Sequence, residues 1–279
     1  MRMVIDSNYL QASGLREYFA KSPNNFAVVT DYASMEAYKG DTLASIYRSM
    51  QILAQFPRQV IVLKGTITVC GLKGRQSGLQ RRMIDEGQTK GFSLYCRRLE
   101  AAKRGDVDLQ HQLLDYGRAA DAQMARMLAD AKKFPASLEL VASTYTKQEL
   151  QILRRDVPYT DDLFEKVAKN ILTLAAMMFA NHPSVPKLPP ASELPYTFIF
   201  RSALCAYLLA LRWVSVGGAS RVKPERIRND LVDVSFATFA TYFDGLLTAD
   251  TKAAEIHRDA DFLLRNVFIT PALGRIGEA

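Results

Sequence analysis

Strand-like and helix-like segments alternate at both ends of this chain, whereas the stretch from about Gly71 to Pro190 shows helical spacing alone. Alternation of that kind favours a mostly parallel sheet with helices on its faces. The opening residues Met3, Val4 and Ile5 read as a short buried strand that ends on Asp6. Leu10, Leu15, Tyr18 and Phe19 then follow a helical period, and Pro23 marks its stop. Phe26 to Thr30 predicts a second strand. A helix holding Met35, Tyr38, Ile46 and Met50 follows, with Asp31 or Ser34 as its cap and Glu36 in its first turns. The β-branched run Val60 to Val69 reads as a third strand or the start of a variant region.

The central stretch predicts helices over Leu79–Ala102, Leu109–Ala131, Lys147–Arg155 and Asp162–Ala180, the last capped by Asp161 and Asp162. Five prolines between His182 and Pro195 require a non-helical connection. The apolar stretch Phe198 to Val216 contains Arg201 and Arg212. Charges are costly inside a bilayer, so this stretch reads as a buried helix and no membrane span is expected. A glycine-containing loop, one more helix and a last strand with Leu246 and Leu247 lead to Asp250.

Ligand sites in open parallel sheets lie at the carboxyl ends of the strands. Asp6 and Asp250 each follow a strand, so the two carboxylates are expected at one edge. Clustered carboxylates repel and call for a cation between them. Hard divalent ions such as Mg2+ and Mn2+ prefer oxygen donors, and they serve phosphodiester hydrolysis by activating water and stabilising oxyanions. The three histidines form no pair at metal-ligand spacing, and Ser7 has no histidine nearby in sequence to support a nucleophilic triad. The cysteines Cys70, Cys96 and Cys205 are odd in number and far apart. They fit neither a disulfide framework nor a zinc cluster, which points to a reducing, cytoplasmic setting. The start of the chain does not resemble a secretory leader.

The segments V-I-D-S-N, V-V-T-D-Y-A-S-M-E and N-D-L-V-D-V-S-F-A-T-F-A-T-Y-F-D-G-L-L-T-A-D-T-K resemble the PIN domain superfamily. The resemblance covers roughly residues 1 to 65 and 195 to 265. It implies a three-layer α/β/α PIN-like domain with a mostly parallel central sheet, formed by residues 1–70 and 195–279. An all-helical subdomain, residues 71–194, would interrupt it. The resemblance further implies a Mg2+- or Mn2+-dependent nuclease, most often of RNA, with toxin or defence work among the family's roles. The acids it carries over are Asp6, Glu36, Asp250 and a third that is Asp230 or Asp233. Asp230 and Asp233 lie one helical turn apart, and Asp233 is favoured because it sits deeper in the helix. Asn8, Thr248 and Asp244 match supporting positions, although Asp244 reads more readily as a turn acid before a strand than as a ligand. Asp31 competes with Glu36 for the second place.

The net charge of +7 is compatible with a polyanionic partner. Nine lysines and arginines lie between Lys73 and Arg104, among them Arg81, Arg82, Arg97 and Arg98, with Phe92 and Tyr95 interleaved. They read either as a phosphate-tracking face with a stacking aromatic or as a solvated helix surface. Arg221, Lys223, Arg226 and Arg228 form a second cluster just before the third acid. A homodimer mate and an inhibitor protein are further partner classes. The rival readings are a non-catalytic PIN-like binding module and a phosphatase, which would want D-x-D after the first strand where this chain has D-S-N.

Overall fold

A computed structural model describes residues 1–75, 79–132, 134–155, 159–185, 187–218 and 222–269. Its four strands are β1 (Arg2–Ile5), β2 (Phe26–Val29), β3 (Val60–Val62) and β4 (Gly245–Leu247). They form one parallel sheet in the order β3-β2-β1-β4. Val4 pairs with Val28 on one side and with Leu246 on the other, and Val28 pairs with Ile61. Every strand therefore points the same way. The residues after Ile5, Val29, Val62 and Leu247 share one edge.

The helices are α1 (Ser13–Lys21), α2 (Asp31–Ala37), α3 (Thr42–Met50), α4 (Thr66–Cys70), α5 (Leu79–Met83), α6 (Glu86–Lys103), α7 (Val107–Ala131), α8 (Phe134–Ser143), α9 (Lys147–Arg155), α10 (Asp161–Ala180), α11 (Phe198–Ser215), α12 (Pro224–Ala240) and α13 (Thr251–Leu263). Side-chain caps set many of their starts, because the first N–H groups of a helix lack internal partners. Thr30 caps α2 through Ala33 N at 3.1 Å, and Thr160 caps α10. Asp31, Ser34, Asp161 and Asp162 are thus not the caps the sequence suggested. Asp31 instead accepts from Thr66 N at 2.6 Å and Thr66 Oγ1 at 2.9 Å, which fixes the start of α4.

Two expected elements divide. The Val60–Val69 run is a strand only to Val62, and Gly65 precedes the turns of α4. The segment Leu79–Ala102 breaks at Ile84 and Asp85. Leu63 bridges Ile84 antiparallel, Asp85 N donates to Val62 O at 2.9 Å, and the Asp85 carboxylate caps α6 through Gln88 N at 2.9 Å. The edge of the sheet competes with helix continuation there and prevails. α8 occupies a stretch for which the sequence predicted no separate helix.

Apolar packing forms two clusters. The first joins the sheet to α1, α2 and α3 and to α6 and α7 through Phe92, Leu99 and Leu113. The second gathers α8 to α11 with α13. The expected boundary near residue 70 follows sequence character, whereas these clusters follow contact, and α6 and α7 pack with the sheet. α12 belongs to both: Val232, Phe236 and Phe239 enter the first cluster, while Ile227, Val234 and Ala237 enter the second. α11 is the one described helix long and apolar enough to cross a membrane, and 72% of it is buried inside the protein. Its Arg201 is 6% exposed and donates to Pro195 O at 2.9 Å and Thr241 O at 2.6 Å, with its guanidinium 3.8 Å from the Tyr242 ring centre.

Candidate functional site

Asp6 leaves β1 at the carboxyl edge and is 1% exposed. Its backbone N–H donates to Leu247 O at 3.0 Å, which extends the β1–β4 pairing by one step. Three groups approach its carboxylate. Thr248 Oγ1 donates to Oδ2 at 2.5 Å, Asn8 N–H lies 3.4 Å from Oδ1, and Ser7 Oγ lies 3.4 Å from the same oxygen. Burial raises the Asp6 pKa, these hydrogen bonds oppose the rise, and the charge of Asp250 adds to it.

Glu36 reaches the site from α2, where it accepts a short hydrogen bond from Ser7 Oγ. Ser7 therefore stands between the carboxylates of Asp6 and Glu36. Asp250 follows β4, caps α13 through Ala253 N at 2.8 Å, and donates its own N–H to Thr248 Oγ1 at 2.9 Å. Asn8 Oδ1 accepts from Ala249 N at 3.2 Å, tying the loop after β1 to the loop after β4.

Asp233 projects from α12 into this group and is half-buried. Burial first, then the charges of Asp6, Asp250, Glu36 and Asp230, push its carboxyl up to about 8. Four carboxylates acting on a fifth place all five acids in one electrostatic neighbourhood. Asp230 is held differently. Lys252 Nζ lies 2.5 Å from Asp230 Oδ1, while Oδ2 is buried without a partner. Lys252 in turn lies 5.4 Å from the Trp213 ring centre. The structure thus separates the two acids left open above: one is neutralised by a lysine, and the other faces its fellow carboxylates.

Asp244 lies elsewhere. It precedes β4, and its Oδ2 accepts from Arg2 N at 2.6 Å, at the amino edge of the sheet. Parallel strands put their starts and ends at opposite edges, so Asp244 cannot support the acids after β1 and β4. Asp31 is engaged with α4, as described above.

The basic residues scatter. Arg81 is exposed on α5, and Arg82 donates to Lys73 O at 2.9 Å. Arg97 and Arg98 are both exposed on α6 but line different hollows. Arg98 faces α2 and α7, and Arg97 faces Arg58 and Arg104. The interleaved series is therefore not one face. Lys223 is exposed just before α12, and Arg228 on α12 donates to Asn229 Oδ1 at 2.9 Å. Arg221 lies outside the described residues.

Sequence reasoning missed the roles of Ser7 and Lys252. Ser7 was weighed only as a nucleophile, and its bridge to Glu36, 29 residues away on α2, carried no local signal. Asp230 lies 22 residues from Lys252 on a different helix, so their pairing had no local signal.

All donors here are oxygens, which suits Mg2+ or Mn2+ rather than a softer ion. Among the described residues no three acidic, imidazole or thiol groups stand close enough to chelate one ion together. Mg2+ commonly takes one or two carboxylates and keeps several waters, so the donor set fits an ion held in that way. The chain matches no family model, no curated protein and no solved structure.

Proposed function

We propose that the chain is a divalent-metal-dependent nuclease, built on a three-layer PIN-like α/β/α domain, that hydrolyses phosphodiester bonds. The observation that carries this reading is the gathering of acids at the carboxyl edge of a parallel sheet, where Ser7 links Asp6 to Glu36 and Thr248 links Asp6 to Asp250; the same crowding and burial push the Asp233 carboxyl up to about 8. A folded protein that crowds acids this way gains by placing a divalent cation among them. Asp6, Glu36, Asp233 and Asp250 are the ligands on offer, and one or two of them would hold a Mg2+ or Mn2+ ion whose remaining positions are taken by water. When bound, such an ion supplies an activated water and charge stabilisation at the phosphorus. Thr248, Asn8 and Ser7 orient the carboxylates through hydrogen bonds, and Asp230 is kept for structure by Lys252. RNA is the substrate that the sequence resemblance favours, in a cytoplasmic setting; a second copy or an inhibitor protein would be a further partner.

One observation favours the second reading, a PIN-like module that binds nucleic acid or protein without cutting: as placed, no three acids converge on one point. Both readings are separated by incubating single-stranded RNA, structured RNA and DNA with EDTA, Mg2+ or Mn2+. Cutting that needs the metal and disappears in Asp6→Asn and Asp233→Asn establishes the nuclease. No cutting, together with no Mn2+ binding by calorimetry, leaves the binding module.

A further inference from the structure

A cavity of about 430 Å³ opens between α2, α6 and α7. Aromatic rings dominate its wall. Tyr38 and Tyr116 meet edge-on with ring centres 6.2 Å apart, and Phe92 and Tyr95 lie at 5.8 Å. The hydroxyls of Tyr38 and Tyr95 share a hydrogen bond of 3.0 Å, so the two phenols are fixed relative to one another. The rim is unusually open for such residues: Tyr116 is 56% exposed and Leu94 45%. Arg98 reaches the same hollow and has no ion-pair partner among the described residues.

Gly91 also lines the cavity, inside α6 in its second turn. A glycine inside a helix is destabilising relative to alanine, because it gives up more backbone freedom on folding. A Cβ built at Gly91 meets nothing within 4 Å. No packing constraint requires the glycine, so the space in front of it is what its absent side chain preserves.

We propose that this cavity is a nucleobase subsite, in which a base stacks against the tyrosine wall and Arg98 meets its phosphate or its acceptor edge. Flat aromatic ligands suit such a wall, every base offers a π-face, and an unpaired guanidinium complements the phosphate that accompanies it. Gln88 and Ser34 supply polar groups at the same rim. The placement relative to the acids agrees. Glu36 turns toward Ser7, while Ser34 on α2 and Tyr38 at its C-cap, two residues to either side, face the cavity. Only the width of one helix, roughly 10 Å, separates the two. A strand with one phosphate at the carboxylates would lay a neighbouring base in the hollow. The assignment rests on the reading of a nucleic-acid substrate, but its test does not require cleavage.

The test titrates ribo- and deoxynucleoside 5′-monophosphates into the full chain in EDTA, following tyrosine ring resonances by NMR. Saturable binding that shifts Tyr116 and Tyr38 is expected, weakened at least ~10-fold by Gly91→Leu and by Arg98→Ala. Gly91→Leu fills the cavity from a helical position with free space, so its melting temperature should equal or exceed that of the parent. No saturable binding below ~10 mM, or equal affinity in Gly91→Leu, overturns the subsite. Nucleotides that bind here while no RNA is cut would keep the subsite and reject the nuclease. Metal-dependent cutting with no nucleotide in the cavity would do the reverse.

Discussion

Replacing Asp233 by asparagine should stabilise the metal-free protein, and only above acidic pH. In the folded protein the carboxyl titrates at about 8 rather than 3.8, because it is buried and faces Asp6, Asp250, Glu36 and Asp230. Between those two values the native state holds a proton that the unfolded chain has released. The unfolded state then binds fewer protons, so stability falls as pH rises from about 4 to about 8. At ~1.4 kcal/mol per tenfold change in proton affinity, the ceiling is ~6 kcal/mol. Asp233 is partly open to solvent, and halving the figure for screening leaves ~3 kcal/mol. Asparagine has nearly the same shape and no proton to lose, so it escapes the whole loss. For a chain of this size ~2 °C accompanies each kcal/mol, which puts the variant about 6 °C above the parent at pH 8.5. At pH 4.5 the two should melt within ~2 °C of each other. Circular dichroism melts in EDTA across that range read the difference directly. Saturating Mn2+ should reverse it, raising the parent and leaving the variant unmoved, since an ion that binds only the native state stabilises it. Parallel pH profiles for the two proteins would refute the crowding of carboxylates on which the site is built.

Lys252→Met removes the only cation paired with Asp230 among the described residues, a buried contact of 2.5 Å. An expected loss of ~3 kcal/mol at pH 7 should be largely restored by adding Asp230→Asn; a neutral single variant would show that the pair is not structural. Thr248→Val deletes the hydrogen bond to Asp6 Oδ2 and should weaken Mn2+ binding by ~10–100-fold in calorimetry, with little change in melting temperature. Gly245→Ala acts on the backbone. Gly245 has φ +145° and an added Cβ would stand 2.9 Å from Met3 Cε, so a cost of ~1–3 kcal/mol in chemical denaturation is expected, and an unchanged midpoint would contradict it.

The strand ends that carry the acids were legible in the chain itself. Three apolar residues before Asp6, and Leu246 and Leu247 before Thr248 and Asp250, can each make a buried strand only if the carboxylate falls at its edge. Features decided by distant partners were not legible. Asp31 looks like a cap beside its own helix, but the group that claims its carboxylate is Thr66, 35 residues away. The break at Asp85 was hidden because helical spacing resumes on both sides of it, and only the pull of the β3 edge at Val62 interrupts the helix. Adjacent Arg97 and Arg98 read as one charged face, yet neighbours on a helix point about 100° apart, and α6 is packed on the sheet so that each opens onto a different hollow.

Asp230 and Asp233 show most clearly what packing adds. They are one turn apart and equivalent by pattern, and either could serve as the third acid until the rotation of α12 is fixed. Phe236 and Phe239 bind one side of that helix to the sheet, while Ile227 and Val234 bind the other side to the cluster around α11. With both faces anchored, the helix cannot rotate to carry Asp233 away from Asp6 and Asp250. The repulsion has to be relieved by a proton or a cation instead, and α12 held between two cores is what keeps Asp233 in the neighbourhood of Asp6, Glu36 and Asp250.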